Sequence, residues 1–225
     1  MTIQSIYRQF PVPPTLQEHM YRVAALSSLI CNSWRGSQLD SQAVIGTMLI
    51  HDLGNLAKFE ISPDSKIKFD DQPAEESRAY WAKQQQLLFQ QFGKTPDEAT
   101  ISMVKHLHLK NEAKILELLM IHDLEPLKLE LSQSNPNWAG RICAYSDFRV
   151  GPFGYVSLTE RFSDLVKRYA HRQPFWADTQ QVNEYQAVYT QIEDSIQSQI
   201  QIDLQLLPTA TLQKIAAQLV TFELA

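Results

Sequence analysis

Glycine occurs only 7 times in 225 residues, and that scarcity constrains the fold before any motif is read. Tight hairpins and phosphate-cradling loops hold the backbone at positive φ or hard against a ligand, and both uses draw on glycine. An all-β chain and a fold built on glycine-rich phosphate loops are therefore disfavoured. Apolar residues instead recur at spacings of three and four along nearly the whole chain, the periodicity of amphipathic helices. With 44% hydrophobic and 20% charged residues the composition is globular, and a chain of this length buries a core without disulfides. The expected fold is all-α.

Local signals place the helices. Thr15, after the prolines of PVPPT, predicts a cap for a helix over 16–33 that stops at Trp34, Arg35 and Gly36. Asp40 or Ser41 caps a second, with Val44, Ile45, Met48 and Leu49 inward, which runs into His51 and Asp52 and breaks near Gly54. Residues 60–73 show no helical period and several turn formers, so they read as a mobile lid without an apolar anchor. Its Lys66 and Lys68 would meet a phosphate, while Asp64, Asp70 and Asp71 repel other anions. Helices resume at Ala74 and end near Phe92 and Gly93; Thr95 and Pro96 then start one that runs to about Leu109, and Asn111 caps another. Asn137 caps a helix to Arg149, GPFG turns the chain, and Ser157 opens a helix to about Tyr169.

From Asp178 a long amphipathic helix follows and, after Pro208, a shorter one, neither with candidate chemistry. The reading is a helical core over 1–175 and a C-terminal helical extension over 176–225, packed on the core or on a second copy. A net charge of -5 gives no global attraction for nucleic acid, so an anionic ligand must be bound locally. Cys31 and Cys143 form no CxxC pair and read as reduced core residues. The N-terminus lacks a signal pattern and no apolar run spans a bilayer, which predicts a cytoplasmic protein with no membrane partner.

Four residues stand out once histidines and carboxylates are placed on these helices. His19 shares a stripe with Val23, Leu26 and Ile30; His51 and Asp52 follow Met48 by three and four; Asp147 follows Cys143 and Ala144 at the same spacing. Each leans inward, and an inward carboxylate needs a partner because unpaired burial of charge costs several kcal/mol. A divalent cation supplies one. Two imidazoles and two carboxylates make a mixed nitrogen and oxygen site that suits Mn, Fe, Co, Ni or Zn better than Mg alone.

The segments LQEHMYRVAAL, LIHDLGN and ICAYSDFRV, with the SLTERFSDLVKRY that follows, resemble the HD-domain metal-dependent phosphohydrolase superfamily, whose pattern is H…HD…D. The resemblance covers about residues 15–170. It implies an HD-domain helical bundle in which His19, His51, Asp52 and Asp147 hold the metal, and a metal-activated water attacks a phosphoester. Asp52 or Asp147 would orient that water. Arg22, one turn after His19, is the first candidate to neutralise phosphate, followed by Lys58, Arg149 and Arg161.

Position 55 narrows the substrate by exclusion. Branches acting on 5'-nucleotides resemble HDxxE, and those cleaving cyclic dinucleotides resemble HDxGK with GYP; here Asn55 and GPFGY replace them. What survives, as the resemblance and not the spacing implies, is a phosphoester of a small, nucleotide-like molecule. The alternatives are a catalytically silent HD-type ligand-binding or signalling module, and a structural adaptor that forms a homodimer through its C-terminal helices. A second dyad, His122 and Asp123, competes with the first, but Glu125 and Pro126 replace the glycine turn and Asp123 reads as a helix cap. His106 and His108 stand where two-metal branches place extra histidines, so the order allows a second metal. Two residues apart on a helix, only one of them points inward. His171 reads as surface.

Overall fold

A helix that no strong signal announces, α1 (Ile3–Gln9), opens the chain in the computed structural model, which describes residues 1–62, 69–120 and 124–224. The Thr2 hydroxyl accepts from the Ser5 amide, and Ile3, Ile6 and Tyr7 turn inward at helical spacing. Tyr7 Oη donates to the Leu49 carbonyl at 2.5 Å. This first helix thereby braces the segment that leads into His51.

Two helices then carry the first ligand candidates. α2 (Pro14–Asn32) starts earlier than expected, because Pro14 takes the first helical position with its φ already set, and Thr15 makes no cap. α3 (Ser41–Ile50) is capped by the Asp40 carboxylate, which accepts from the Ala43 amide at 3.0 Å. Every residue from Ala43 to Ile50 is buried, as in a helix enclosed on all sides. A short 3-10 helix (Asn55–Lys58) and α4 (Ala74–Gln91) follow. The Thr95 and Glu98 capping box starts α5 (Pro96–His106), which ends before the expected Leu109. α6 (Lys110–Leu119) contains Asn111 rather than being capped by it, and α7 (Leu124–Leu131) starts two residues before Pro126.

The Asn137 side chain accepts from Gly140 and starts α8 (Trp138–Phe148). The chain then folds back as a two-residue hairpin, β1 (Val150–Gly151) against β2 (Gly154–Tyr155), with Val150 opposite Tyr155. Ser157 and Glu160 form a second capping box before α9 (Leu158–Tyr169). The remaining helices are α10 (Pro174–Ala177), α11 (Thr179–Gln197), capped by Asp178, and α12 (Thr209–Leu219). The architecture is mostly helical, with one small hairpin.

α3 packs against α2, α6 and α8, while α11 covers α8 and α12 lies along α2. The 175/176 division falls inside α10, whose Phe175 and Trp176 rings pack on Tyr185 at 5.4 and 6.3 Å. Backbone bonds also join the two ends of the chain: Ile3 donates to the Phe222 carbonyl at 2.9 Å and Leu224 to that of Met1 at 2.8 Å. Both cysteines are buried and free, and burial pushes the Cys31 thiol up to about 12. No helix among the described residues is long and apolar enough to cross a membrane.

The turn after His51 rests on one glycine. Gly54 N–H donates to the Thr100 hydroxyl at 2.9 Å, and a Cβ at Gly54 would stand 2.4 Å from the Pro96 carbonyl and 2.6 Å from the Thr100 nitrogen. Both are backbone atoms, so the helix itself must move. The need is close approach, since φ is an ordinary −85°. Gly54→Ala is expected to push α5 off this turn at a cost of about 1–3 kcal/mol, read as a lower thermal midpoint. An unchanged midpoint would show that α5 yields freely.

The segment 60–73 differs from expectation at its ends. Phe69 is 1% exposed and stacks between Phe59 and Trp81 at 5.5 and 5.9 Å. Trp81 Nε1 donates to Asp70 at 2.7 Å, and Gln85 holds the Leu56 and Phe59 carbonyls. One aromatic residue, rather than a helical period, supplies the apolar anchor. Asp64, Lys66 and Lys68, on which the lid reading relied, lie outside the described residues.

Candidate metal centre

His19 reaches the centre from the middle of α2, among buried Leu16, Met20, Val23 and Leu26. His51 is the C-cap residue of α3, and its Nδ1 lies 2.8 Å from the Met48 carbonyl. A carbonyl only accepts, so Nδ1 carries the proton there and a neutral ring presents a bare lone pair at Nε2. Asp147 comes from the last turn of α8. Three helices, distant in sequence, thus deliver one side chain each.

The three side chains are close enough to hold a metal ion. Asp147 Oδ1 stands 3.1 Å from His19 Nε2 and 3.3 Å from His51 Nε2, and the three ligand atoms all lie within 4.8 Å of one another. Ligands bound at about 2.1 Å in tetrahedral or octahedral array are separated by roughly 3.0–3.4 Å. Asp52 brackets the group, with Oδ2 3.7 Å from His19 Nε2 and Oδ1 3.7 Å from His51 Nε2. The sequence-predicted quartet therefore meets, as a tight His19, His51 and Asp147 triad with Asp52 slightly outside.

His51 Nε2 decides what the triad needs. It is buried without a hydrogen-bond partner, and its lone pair faces a carboxylate oxygen across 3.3 Å. Two acceptors at that range repel unless a proton or a cation sits between them. Burial pushes the His51 imidazole down, but Asp52, Asp147 and the Met48 carbonyl outweigh it and raise it to about 9. Burial pushes Asp147 up, yet the imidazoles of His19 and His51 hold it well below the usual carboxylate range. The site is built for a positive charge.

A pH dependence follows for chelator-treated protein. The folded state prefers protonated His51, so this stabilisation is complete below about pH 6.5 and disappears as pH rises through about 9, a change on the order of 3 kcal/mol. Asp147 acts with the opposite sign, stabilising above the ordinary carboxylate range and failing in acid. Thermal midpoints should therefore fall from pH 6.5 to 9 with chelator. Excess Mn or Zn should remove that fall, because the cation takes the proton's place. A flat chelator profile would contradict the placement of His51.

The candidate cations have different fates. Arg22 Nη2 donates to Glu18 at 2.8 Å and Nη1 to the Pro152 carbonyl at 3.4 Å. Arg149 is only 4% exposed, paired with Glu193 at 2.7 Å, and so is a core residue with no face toward a phosphate. Arg161 lies over the Phe148 ring at 5.7 Å and within 3.6 Å of Asp164, and Lys58 is exposed. His106 packs edge-on against Phe10 and Phe92, at 6.4 and 6.1 Å, and exposed His108 takes a left-handed φ of 59°. Neither joins the triad, which is the one group of metal-ligating side chains found among the described residues. His171 is exposed, and His122 and Asp123 lie outside the described residues.

Two supporting groups had no signal in the ligand pattern. The Met48 carbonyl sets the His51 tautomer, and Tyr7, legible only through the helical spacing of its neighbours, holds the backbone before it.

No family model, no curated protein and no solved structure matches this chain.

Proposed function

We propose that the protein is an HD-type metal-dependent phosphohydrolase acting on the phosphoester of a small, nucleotide-like molecule. The observation that carries this reading is the meeting of His19 Nε2, His51 Nε2 and an Asp147 oxygen within 4.8 Å of one another, with His51 Nε2 buried and 3.3 Å from that carboxylate. His19, His51 and Asp147 would hold the ion, with Asp52 as an additional ligand or a proton acceptor. A bound divalent cation would polarise the phosphoryl oxygen and lower the pKa of water toward neutrality.

The chain's own groups divide the remaining work. Asp52, with a side chain 21% exposed and 3.7 Å from both imidazoles, would accept a proton from the attacking water at a carboxylate oxygen. The imidazoles fix the direction of approach, since His51 cannot rotate without breaking its bond to Met48. The buried α3 behind them limits access to the side away from the core.

A screen over nucleotides and sugar phosphates with Mn, Co, Ni, Zn and Mg tests the reading. Release of phosphate that depends on added metal and is lost in Asp147→Asn supports it. Metal binding without turnover on any phosphoester leaves the silent ligand-binding module as the correct reading. Absence of both metal binding and turnover removes the proposal.

A further inference from the structure

A groove of about 540 Å³ runs between α2, the hairpin and α12, within the roughly 300–1,000 Å³ typical of small-molecule sites. Two of its three walls spring from elements that carry metal ligands. Glu18, Tyr21 and Arg22 flank His19 on α2, and the hairpin follows directly on α8, which ends just past Asp147. The third wall is the exposed face of α12, with Gln213 and Ala217.

The hairpin is held in place. Tyr155 Oη donates to the Arg22 carbonyl at 3.1 Å, and Arg22 Nη1 returns a bond to Pro152 at 3.4 Å. On that fixed hairpin Phe153 stands 101% exposed, presenting its ring to water. Glu18 and Arg22 are the charged side chains of the lining and pair with each other at 2.8 Å. The groove therefore carries no net charge to attract a phosphate. It offers a ring, two tyrosines and a few neutral hydrogen-bonding groups.

We propose that this groove is a subsite for the neutral aromatic part of a phosphoester whose phosphate lies at the metal centre, with Phe153 as stacking surface and α12 as far wall. The phosphoester half of this statement rests on the hydrolase reading; binding of the aromatic group alone does not. The C-terminal extension then has a chemical role, which its own sequence did not announce.

Calorimetric titration of full-length, Mn-loaded protein with adenosine, which has no phosphate, tests the groove, with glucose as the non-aromatic control. Adenosine should bind and glucose should not. Phe153→Ala should weaken adenosine about tenfold or more, as loss of a stacking partner does, and Ala217→Trp, at an exposed position, should block it by filling the groove. Circular dichroism should show both variants folded. No adenosine binding at millimolar concentration, equal binding of glucose, or affinity unchanged in both variants would overturn the proposal. A dimer that Phe153→Ala dissociates would also overturn it, because the ring would then belong to an interface between copies. If adenosine binds as expected while no phosphoester is cleaved, the subsite stands and the hydrolase reading fails.

Discussion

His51→Ala should lower affinity for Mn or Zn by more than about 100-fold, the upper range for losing even an outer-shell partner of a metal site. The imidazole does more than count as one donor of three. Its orientation is fixed by Met48 at 2.8 Å and its buried Nε2 stands 3.3 Å from the Asp147 carboxylate, so the site loses its best-organised ligand. The metal-free variant gives up the stabilisation that protonated His51 supplies at neutral pH and leaves a cavity, so it should fold with a lower thermal midpoint than the metal-free parent. Elemental analysis after gel filtration, with circular dichroism as the folding control, reads both effects. His106→Ala and Asp123→Ala should retain metal as the parent does. Retention of metal by His51→Ala, or its loss in Asp123→Ala alone, would move the centre to the second dyad.

How far this was legible in the sequence differs from element to element. Thr95, Asn137 and Ser157 cap the helices expected to start at them, and Asp40 rather than Ser41 caps α3, because a cap is decided within four residues; Thr15 and Asn111 cap nothing, lying inside α2 and α6. The quartet of His19, His51, Asp52 and Asp147 was legible because inward helix positions rarely hold charge without a partner. Long-range pairing was not. Arg149 is one of several candidate phosphate cations with ordinary ion pairing as the alternative, and the pairing is what the structure has, but its partner Glu193 lies in an extension with no chemical signal. Arg22 pairs with Glu18, four residues earlier on the same face, a partner that the spacing already offered. Phe69 shows the same limit, since a single aromatic anchor leaves no period to detect.

Arg149→Met should destabilise the fold by about 3–5 kcal/mol, the range for removing one partner of a buried ion pair. The guanidinium is the junction of four segments. Nη1 donates to Glu193 at 2.7 Å and to the Tyr145 hydroxyl, Nη2 to the Leu204 carbonyl at 3.0 Å, and Nε to the Val156 carbonyl. Tyr145 in turn donates to Glu193 at 2.6 Å, and Gln205 reaches its other oxygen. Methionine fills much of the volume but leaves Glu193 as a buried anion held only by neutral donors. The double variant Arg149→Met with Glu193→Leu should recover much of the loss, because exchanging a buried pair for apolar groups is often close to neutral. Chemical denaturation of both variants and of Glu193→Leu closes the cycle. Small coupling between the two sites would mean that Arg149 acts through its carbonyl contacts. Large coupling would make the ion pair the clamp that fixes α11 against the Asp147 helix, and with it the extension that forms the groove.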